Sequence, residues 1–300
     1  MNNSQKYWKD RMDELMAYVD RTDIEFFYDL QDIYTEYLRA AQKEIYTFYA
    51  KYAKDNQISL QEAKQRLMRE DLSDYRKNAE KYFKQAEKDP KLLKRLNEQY
   101  KAGKVTRLEA LQLELSYQLG KMSQELHQSF ESYLKEVGRY VYRKVNFGNS
   151  ASTLNGPTLK QLIETPFNGK NYSQSIWGNV DELAKDLKDS LAKGFIRGMG
   201  PAEMARELRK KYNVARSRAE AIIRTDGTNV INNATIKRYK EAGLTEYEFL
   251  AHLDSRTTAI CESLNGKIFK VKEYRPGTNA PPMHVNCRST IVPTDKELGL

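Results

Sequence analysis

Apolar side chains recur at Phe26, Leu30, Tyr34, Tyr37, Ala41, Ile45, Phe48 and Tyr52, and residues 23–55 hold neither proline nor glycine. Steps of four, four and three repeat every eleven residues, the pattern of a single apolar stripe on an α-helix. An eleven-residue repeat averages about 3.67 residues per turn, so the stripe runs nearly straight and does not wind into a left-handed coiled coil. The rhythm returns at Leu108, Leu111, Leu115, Leu119, Met122, Leu126, Phe130, Tyr133, Val137 and Val141. Thr106-Arg-Leu-Glu109 supplies a capping box at the start of this second helix, which at about 1.5 Å per residue reaches about 55 Å. Two stripes of one period predict two helices side by side, the centre of an antiparallel bundle of long helices over residues 1–145.

Between the stripes, Ser59-Leu-Gln-Glu62 and Asp89-Pro90 mark the starts of shorter helices and Gly103 a stop. Their Lys/Glu runs read as solvated helix faces. Small polar residues from Asn146 to Pro157 interrupt the helical pattern, so residues 146–157 are read as a linker and 158–300 as a second domain. There Ser173 is the expected cap of a helix bearing Ile176, Trp177, Val180, Leu183, Leu187 and Leu191, ending near Gly194. Pro201 opens a second helix through Met204, Ala205 and Leu208. Ser217-Arg-Ala-Glu220 is the expected cap of a third, which carries Arg224-Thr225-Asp226 and closes at Gly243. Asn229, Asn232 and Asn233 are poor helix formers, and their presence on it predicts side-chain hydrogen bonds to a neighbouring loop. Beyond Gly243 the period changes, and residues 247–253, 267–272 and 289–292 read as short strands. The fold class is mainly α, with a small C-terminal α+β domain of three helices followed by a short-stranded sheet.

Composition narrows the function. With 40% hydrophobic and 30% charged residues among 300, the chain is expected to be soluble and folded. It has no apolar run of the roughly 20 residues needed to cross a bilayer, and no secretory leader is read at its start. A formal charge of +9 permits contact with DNA or acidic protein without requiring either, and Arg139, Arg143 and Lys144 are the candidate contacts to double-stranded DNA. The 20 tyrosines fit either base stacking or a helix interface with wet rims, and the interface is the preferred reading. Two cysteines exclude a disulfide scaffold and point to synthesis in a reducing cytoplasm.

Scarce residues crowd into one block. His252-Leu-Asp-Ser-Arg-Thr-Thr-Ala-Ile-Cys261 and Pro281-Pro-Met-His284-Val-Asn-Cys287-Arg288 hold both cysteines and two of the three histidines. Cys261, His284 and Cys287 are candidate ligands for a tetrahedral zinc, with His252 or Asp254 as a fourth. The plainer alternative makes Cys261 a small buried apolar group and His284 a hydrogen-bonded loop anchor. Arg224 with Asp226, and Asp254 with Arg256, form complementary pairs that would clamp helix to sheet, part of a structural polar cluster with His284 and Arg288. A Walker loop, a Gly-x-Ser-x-Gly elbow and His-Glu-x-x-His are all missing, and no catalytic residue is assigned. The chain ends at Leu300, just past the block, so an enzyme would have to be the block itself, as a metal-dependent nuclease or toxin-like activity of Cys261, His284 and Cys287.

Trp177 with its leucine-rich helix, the glycines of 194–200, Arg224-Thr225-Asp226, Asp254-Ser-Arg256, Cys261, Leu264-Asn-Gly266-Lys-Ile-Phe269, Pro281-Pro282, His284, Asn286-Cys287-Arg288 and Pro293 together resemble the phage minor head proteins, the head morphogenesis family similar to phage Mu protein F. The resemblance covers roughly the second half of the chain. It implies a minor capsid protein of a tailed phage or prophage, inside the head near the portal, acting in head assembly, DNA packaging or DNA ejection. The implied partners are the portal protein and the scaffold or major capsid protein. Two positions depart from the family pattern: Asp226 stands where glutamate is usual, and Ser289 where many relatives have a further cysteine.

Overall fold

The computed structural model describes residues 3–55, 107–147, 154–197 and 199–298. The expected starts and stops at Ser59, Asp89-Pro90, Gly103 and Thr106 lie outside the described residues. Among those described, six α-helices precede or flank one small antiparallel sheet: α1 (Asn3–Asp55), α2 (Arg107–Lys144), α3 (Gly156–Glu164), α4 (Tyr172–Ile196), α5 (Pro201–Glu241) and α6 (Ala259–Leu264). The strands are β1 (Glu246–Leu250), β2 (Ile268–Lys270) and β3 (Thr290–Pro293). The mainly α reading with a small C-terminal sheet is borne out. Strand order is β2-β1-β3, with Tyr247 opposite Phe269 on one side and Phe249 opposite Ile291 on the other. No helix of the described residues is long and apolar enough to cross a membrane.

Contacts divide the chain into two compact units that are not consecutive in sequence: Met1–Asp29, His127–Ile176 and Arg218–Leu300 form one, Leu30–Leu126 and Trp177–Ser217 the other. This grouping differs from the expected split at residues 146–157. At the start of that stretch Phe147 stacks on Trp8 with ring centroids 4.7 Å apart, and the buried Arg238 donates to the Val145 carbonyl at 2.7 Å and to Asn146 Oδ1 at 2.9 Å. At its end, the Asn155 side chain caps α3 by accepting from the Thr158 amide at 2.8 Å, with Pro157 in the first turn.

In the first unit α1 and α2 run antiparallel. Tyr18 stacks on Tyr140, and Phe26 meets Phe130 edge-on with centroids 5.2 Å apart. Gly138 lies where α2, α3 and α5 crowd together; a Cβ there would stand 3.1 Å from Leu159 Cδ1 and 3.3 Å from Val230 Cγ1. The segment of α5 from Asn229 to Ile236 is buried on every side. A helix enclosed in this way needs no single apolar stripe, and its polar residues must find partners inside the protein.

In the second unit the Tyr37 hydroxyl donates to Glu125 Oε2 at 2.9 Å, Tyr34 reaches the Ala215 carbonyl at 3.3 Å, and Tyr49 reaches the Met199 carbonyl at 2.9 Å. These tyrosines bury their rings and spend their hydroxyls on helix ends and neighbours, in line with the interface reading. Tyr28 and Tyr46 remain exposed. On α4 Ile176, Val180, Leu183, Leu187 and Leu191 are buried, while Trp177 is 42% exposed.

Two expected boundaries shift. The cap of α4 is Asn171, not Ser173: Asn171 Oδ1 accepts from the Gln174 amide, and Gln174 Oε1 accepts from the Asn171 amide, both at 3.0 Å. Residues 201–241 form one helix where two were expected. Glu203 accepts from the Gly200 amide at 2.9 Å and caps its start, but nothing between Pro201 and Ser217 breaks the helix. Ser217 and Glu220 therefore sit inside it, because a capping sequence marks an end only where the chain leaves helical geometry. The helix does close at Gly243, whose φ of 77° suits glycine, with the Leu244 amide donating to the Tyr239 carbonyl at 2.9 Å.

Candidate functional site

The polar residues of α5 organise the cysteine block. Thr225, Thr228, Asn232 and Tyr239 fall on one helical face, at steps of three, four and seven. Thr225 Oγ1 accepts from the Asn286 amide at 3.0 Å. Thr228 Oγ1 donates to the Cys287 carbonyl at 2.5 Å, Asn232 Nδ2 to the Ser289 carbonyl at 3.3 Å, and the Tyr239 hydroxyl to the Ile291 carbonyl at 3.2 Å. One helix face thus holds the backbone from residue 286 to residue 291, which explains the asparagine and threonine in a buried helix. Asn229 and Asn233 serve other neighbours, the Thr165 carbonyl at 2.8 Å and the Tyr274 hydroxyl at 3.2 Å.

The held backbone makes a tight turn. Cys287 donates its amide to the His284 carbonyl at 3.2 Å, and Asn286 takes φ 61°, a left-handed conformation that asparagine tolerates better than most residues. The turn brings His284 and Cys287 to Cys261, which sits in the first turn of α6. Cys261 Sγ lies 3.3 Å from His284 Nε2 and 3.8 Å from Cys287 Sγ. Both thiols are free and buried, packed with Phe249 and Ala251 and flanked by Leu264, Phe269 and Met283. The Cys261 thiol is pulled below its ordinary pKa, first by hydrogen bonding with Cys287 and further by Ser289 and His284, against the opposing effect of burial. The Cys287 thiol is pushed up, by sharing that bond with Cys261 and by its own burial.

A cleft of about 480 Å³ opens beside this cluster. Cys261 and His284 form part of its wall, with His252, Asp254, Arg256 and Arg288 from the same block, Arg224 from α5, and Asp20, Asp23 and Phe27 from α1. Arg288 pairs with Asp20 and stands 3.3 Å from Asp254. Arg256 closes a short loop onto Asp254, with Nη2 2.7 Å from Oδ2, and its guanidinium holds the Asp254 carboxyl below the usual range. Asp23 accepts from the Tyr133 hydroxyl, and burial raises its pKa to about 6, with Tyr133, Arg224 and Arg288 opposing the rise.

The expected polar cluster is only partly assembled. Asp254, Arg256, Arg288 and His284 share the cleft with Arg224. Arg224, however, lies over the Phe27 ring at 4.6 Å from its centroid. Asp226 is buried away from the cleft wall, and burial lifts its pKa to about 7. The cross-link to Asp254 comes from Arg288, because α5 turns Asp226 about a hundred degrees per residue away from the face that carries Thr225 and Thr228. His252 and Asp254 stand 3.6 Å apart in the cleft, and neither joins the three-residue cysteine and histidine group among the described residues. Sequence pattern does not single out Asp20 and Asp23 as site residues; its one signal is their position just ahead of the apolar stripe that begins at Phe26. Arg139, Arg143 and Lys144 are exposed on α2.

Helices closed by a small sheet, with a cysteine and histidine block pinned to the central helix, define a mainly α protein with an α+β end. Residues 185–292 match the model of the family described as Phage Mu protein F like protein, so the resemblance to the phage head morphogenesis proteins holds over that stretch, which runs from α4 to β3. The chain is also 27% identical over 161 residues to an NAD(+)-arginine ADP-ribosyltransferase EFV of Enterococcus faecalis, an alignment covering 49% of this chain and 33% of that protein. The chain thus spans about a third of the length of that curated relative. No solved structure matches.

Proposed function

We propose that this chain is a minor head protein of a tailed phage or prophage, incorporated inside the capsid near the portal and acting in head assembly, DNA packaging or DNA ejection. The observation that carries this reading is the family match over residues 185–292, which contains the whole cysteine block and the helix that positions it. Its partners are the portal protein and the scaffold or major capsid protein. The exposed Arg139, Arg143 and Lys144 on α2 are available to packaged double-stranded DNA. The test is co-purification of the chain with portal and scaffold proteins, followed by mass spectrometry of assembled heads. Low-copy, portal-dependent incorporation supports the reading; a chain left free in the lysate while heads assemble overturns it.

A second, enzymatic reading is favoured by the similarity to the E. faecalis transferase. Two thirds of that protein lie outside the alignment, so the shared segment need not carry its chemistry. Incubation of the purified chain with NAD+ and arginine, and with DNA and divalent cations, separates the two readings. Turnover abolished by His284→Ala would replace the structural role with an enzymatic one built on the Cys261, His284 and Cys287 block.

A further inference from the structure

The cysteine and histidine cluster has a geometry that the structural reading above does not require. The ligand atoms of Cys261, His284 and Cys287 all lie within 4.8 Å of one another. Tetrahedral zinc, with bonds of about 2.3 Å to sulfur and about 2.0–2.1 Å to nitrogen, sets neighbouring sulfurs about 3.8 Å apart and sulfur from nitrogen about 3.6 Å apart. The separations here are 3.8 Å between the sulfurs and 3.3 Å between Cys261 Sγ and His284 Nε2. A cation fits among the three with a few tenths of an ångström of adjustment.

The histidine is set up for the same purpose. His284 Nδ1 lies 2.8 Å from the Val285 carbonyl oxygen, which can only accept, so Nδ1 carries the proton. Nε2 faces Cys261, so a metal there displaces any proton on Nε2 and binds its lone pair, with a carbonyl behind the ring as outer support. Charge points the same way. Two thiolates and a neutral imidazole balance a divalent cation, and this borderline-soft donor set suits zinc over magnesium or calcium. The ligands are also preorganised, Cys287 by Thr228 on the buried helix and His284 by its turn with Cys287.

We propose that Cys261, His284 and Cys287 bind one zinc-class divalent cation whose fourth coordination position faces the cleft. Cys287 is fully buried, whereas Cys261 and His284 form part of the cleft wall, so the cleft is the open side. Water fills that position, since His252 and Asp254 stay outside the group. The cation ties α6 to the 281–288 loop and supplies a link that the three-stranded sheet is too small to provide. The site stands whether or not the chain enters a phage head.

The full chain, purified under reducing conditions without chelator, is assayed for metal by native mass spectrometry and elemental analysis, then reloaded with cobalt(II). About one zinc per chain is expected, with the d–d and thiolate-to-cobalt charge-transfer bands of a tetrahedral two-sulfur site. Zinc should slow alkylation of both thiols at least about tenfold, because a coordinated thiolate is a poorer nucleophile. Cys287→Ser should weaken the charge-transfer band, and His284→Cys should keep the metal and strengthen it, a gain that misfolding cannot mimic. The proposal is overturned by a metal-free chain whose thiols alkylate equally with and without zinc, by a Cys261–Cys287 disulfide that persists under reduction, or by a cobalt spectrum that Cys287→Ser leaves unchanged.

Discussion

The Thr228 hydroxyl donates to the Cys287 carbonyl at 2.5 Å, joining the buried face of α5 to the turn that carries His284. Both groups are buried, so the carbonyl cannot recover a lost bond from water. Thr228→Val keeps the shape and removes the donor, and it should cost about 1–3 kcal/mol. Thermal melting measures the loss. Thr228→Ser, which restores the hydroxyl, should recover most of it.

Asn286 makes the turn possible through its backbone. At φ 61° a β-branched side chain is strained, while glycine is at ease. Asn286→Val should therefore lower stability by about 1–2 kcal/mol, and Asn286→Gly should stay within about 0.5 kcal/mol of the parent. The Asn286 side chain is exposed, so equal losses for both in urea unfolding would show that its contacts matter and the backbone angle does not.

Much of this was legible in the sequence because burial imposes a period. From Phe26 to Phe48, and from Leu111 to Val141, the residues named from spacing alone are buried in the structure. The strands were found to within a few residues because the turns between them hold Gly, Asn and Pro. Spacing could not show that Asp20 and Asp23 of α1 meet Arg288 and Tyr133, more than a hundred residues away. Nor could it separate Arg224 from Asp226, which α5 sends to different surroundings. The meeting of Cys261 with His284 and Cys287 was readable only as a crowding of rare residues. The distances that give the cluster its chemistry depend on the α5 hydrogen bonds to residues 286–291.

Asp226 makes stability depend on pH in a direction opposite to that of a salt-bridged carboxylate. Burial raises its folded pKa to about 7 from its ordinary 3.8, so between those values the folded chain holds a proton that the unfolded chain has released. The folded state then binds more protons, and stability is full below about pH 4 and lost as pH rises through about 7. At about 1.4 kcal/mol per pKa unit, the loss is on the order of a few kcal/mol. Asp226→Asn keeps a neutral group in place. Urea unfolding across pH 4.5 to 8 should show a flatter profile for this variant and, near pH 8, higher stability than the parent.

Asp23 lies against Tyr133 and tests a finer balance. Burial lifts its pKa to about 6, while the Tyr133 hydroxyl, by donating to the carboxylate, favours the charged form and restrains the rise. Tyr133→Phe deletes that donor and leaves the ring, which packs on Phe26 with centroids 4.9 Å apart. The Asp23 titration midpoint, followed by carboxyl carbon NMR, should then move above about 6. The raised folded pKa favours the protonated acid, so the variant should lose stability chiefly as pH climbs through the new midpoint and little at pH 4. Asp23→Asn combined with Tyr133→Phe should abolish this pH dependence, because no carboxylate remains to be charged in the buried position. An unchanged midpoint in Tyr133→Phe would mean that Arg224 and Arg288, not the tyrosine hydroxyl, hold the carboxylate in its charged form.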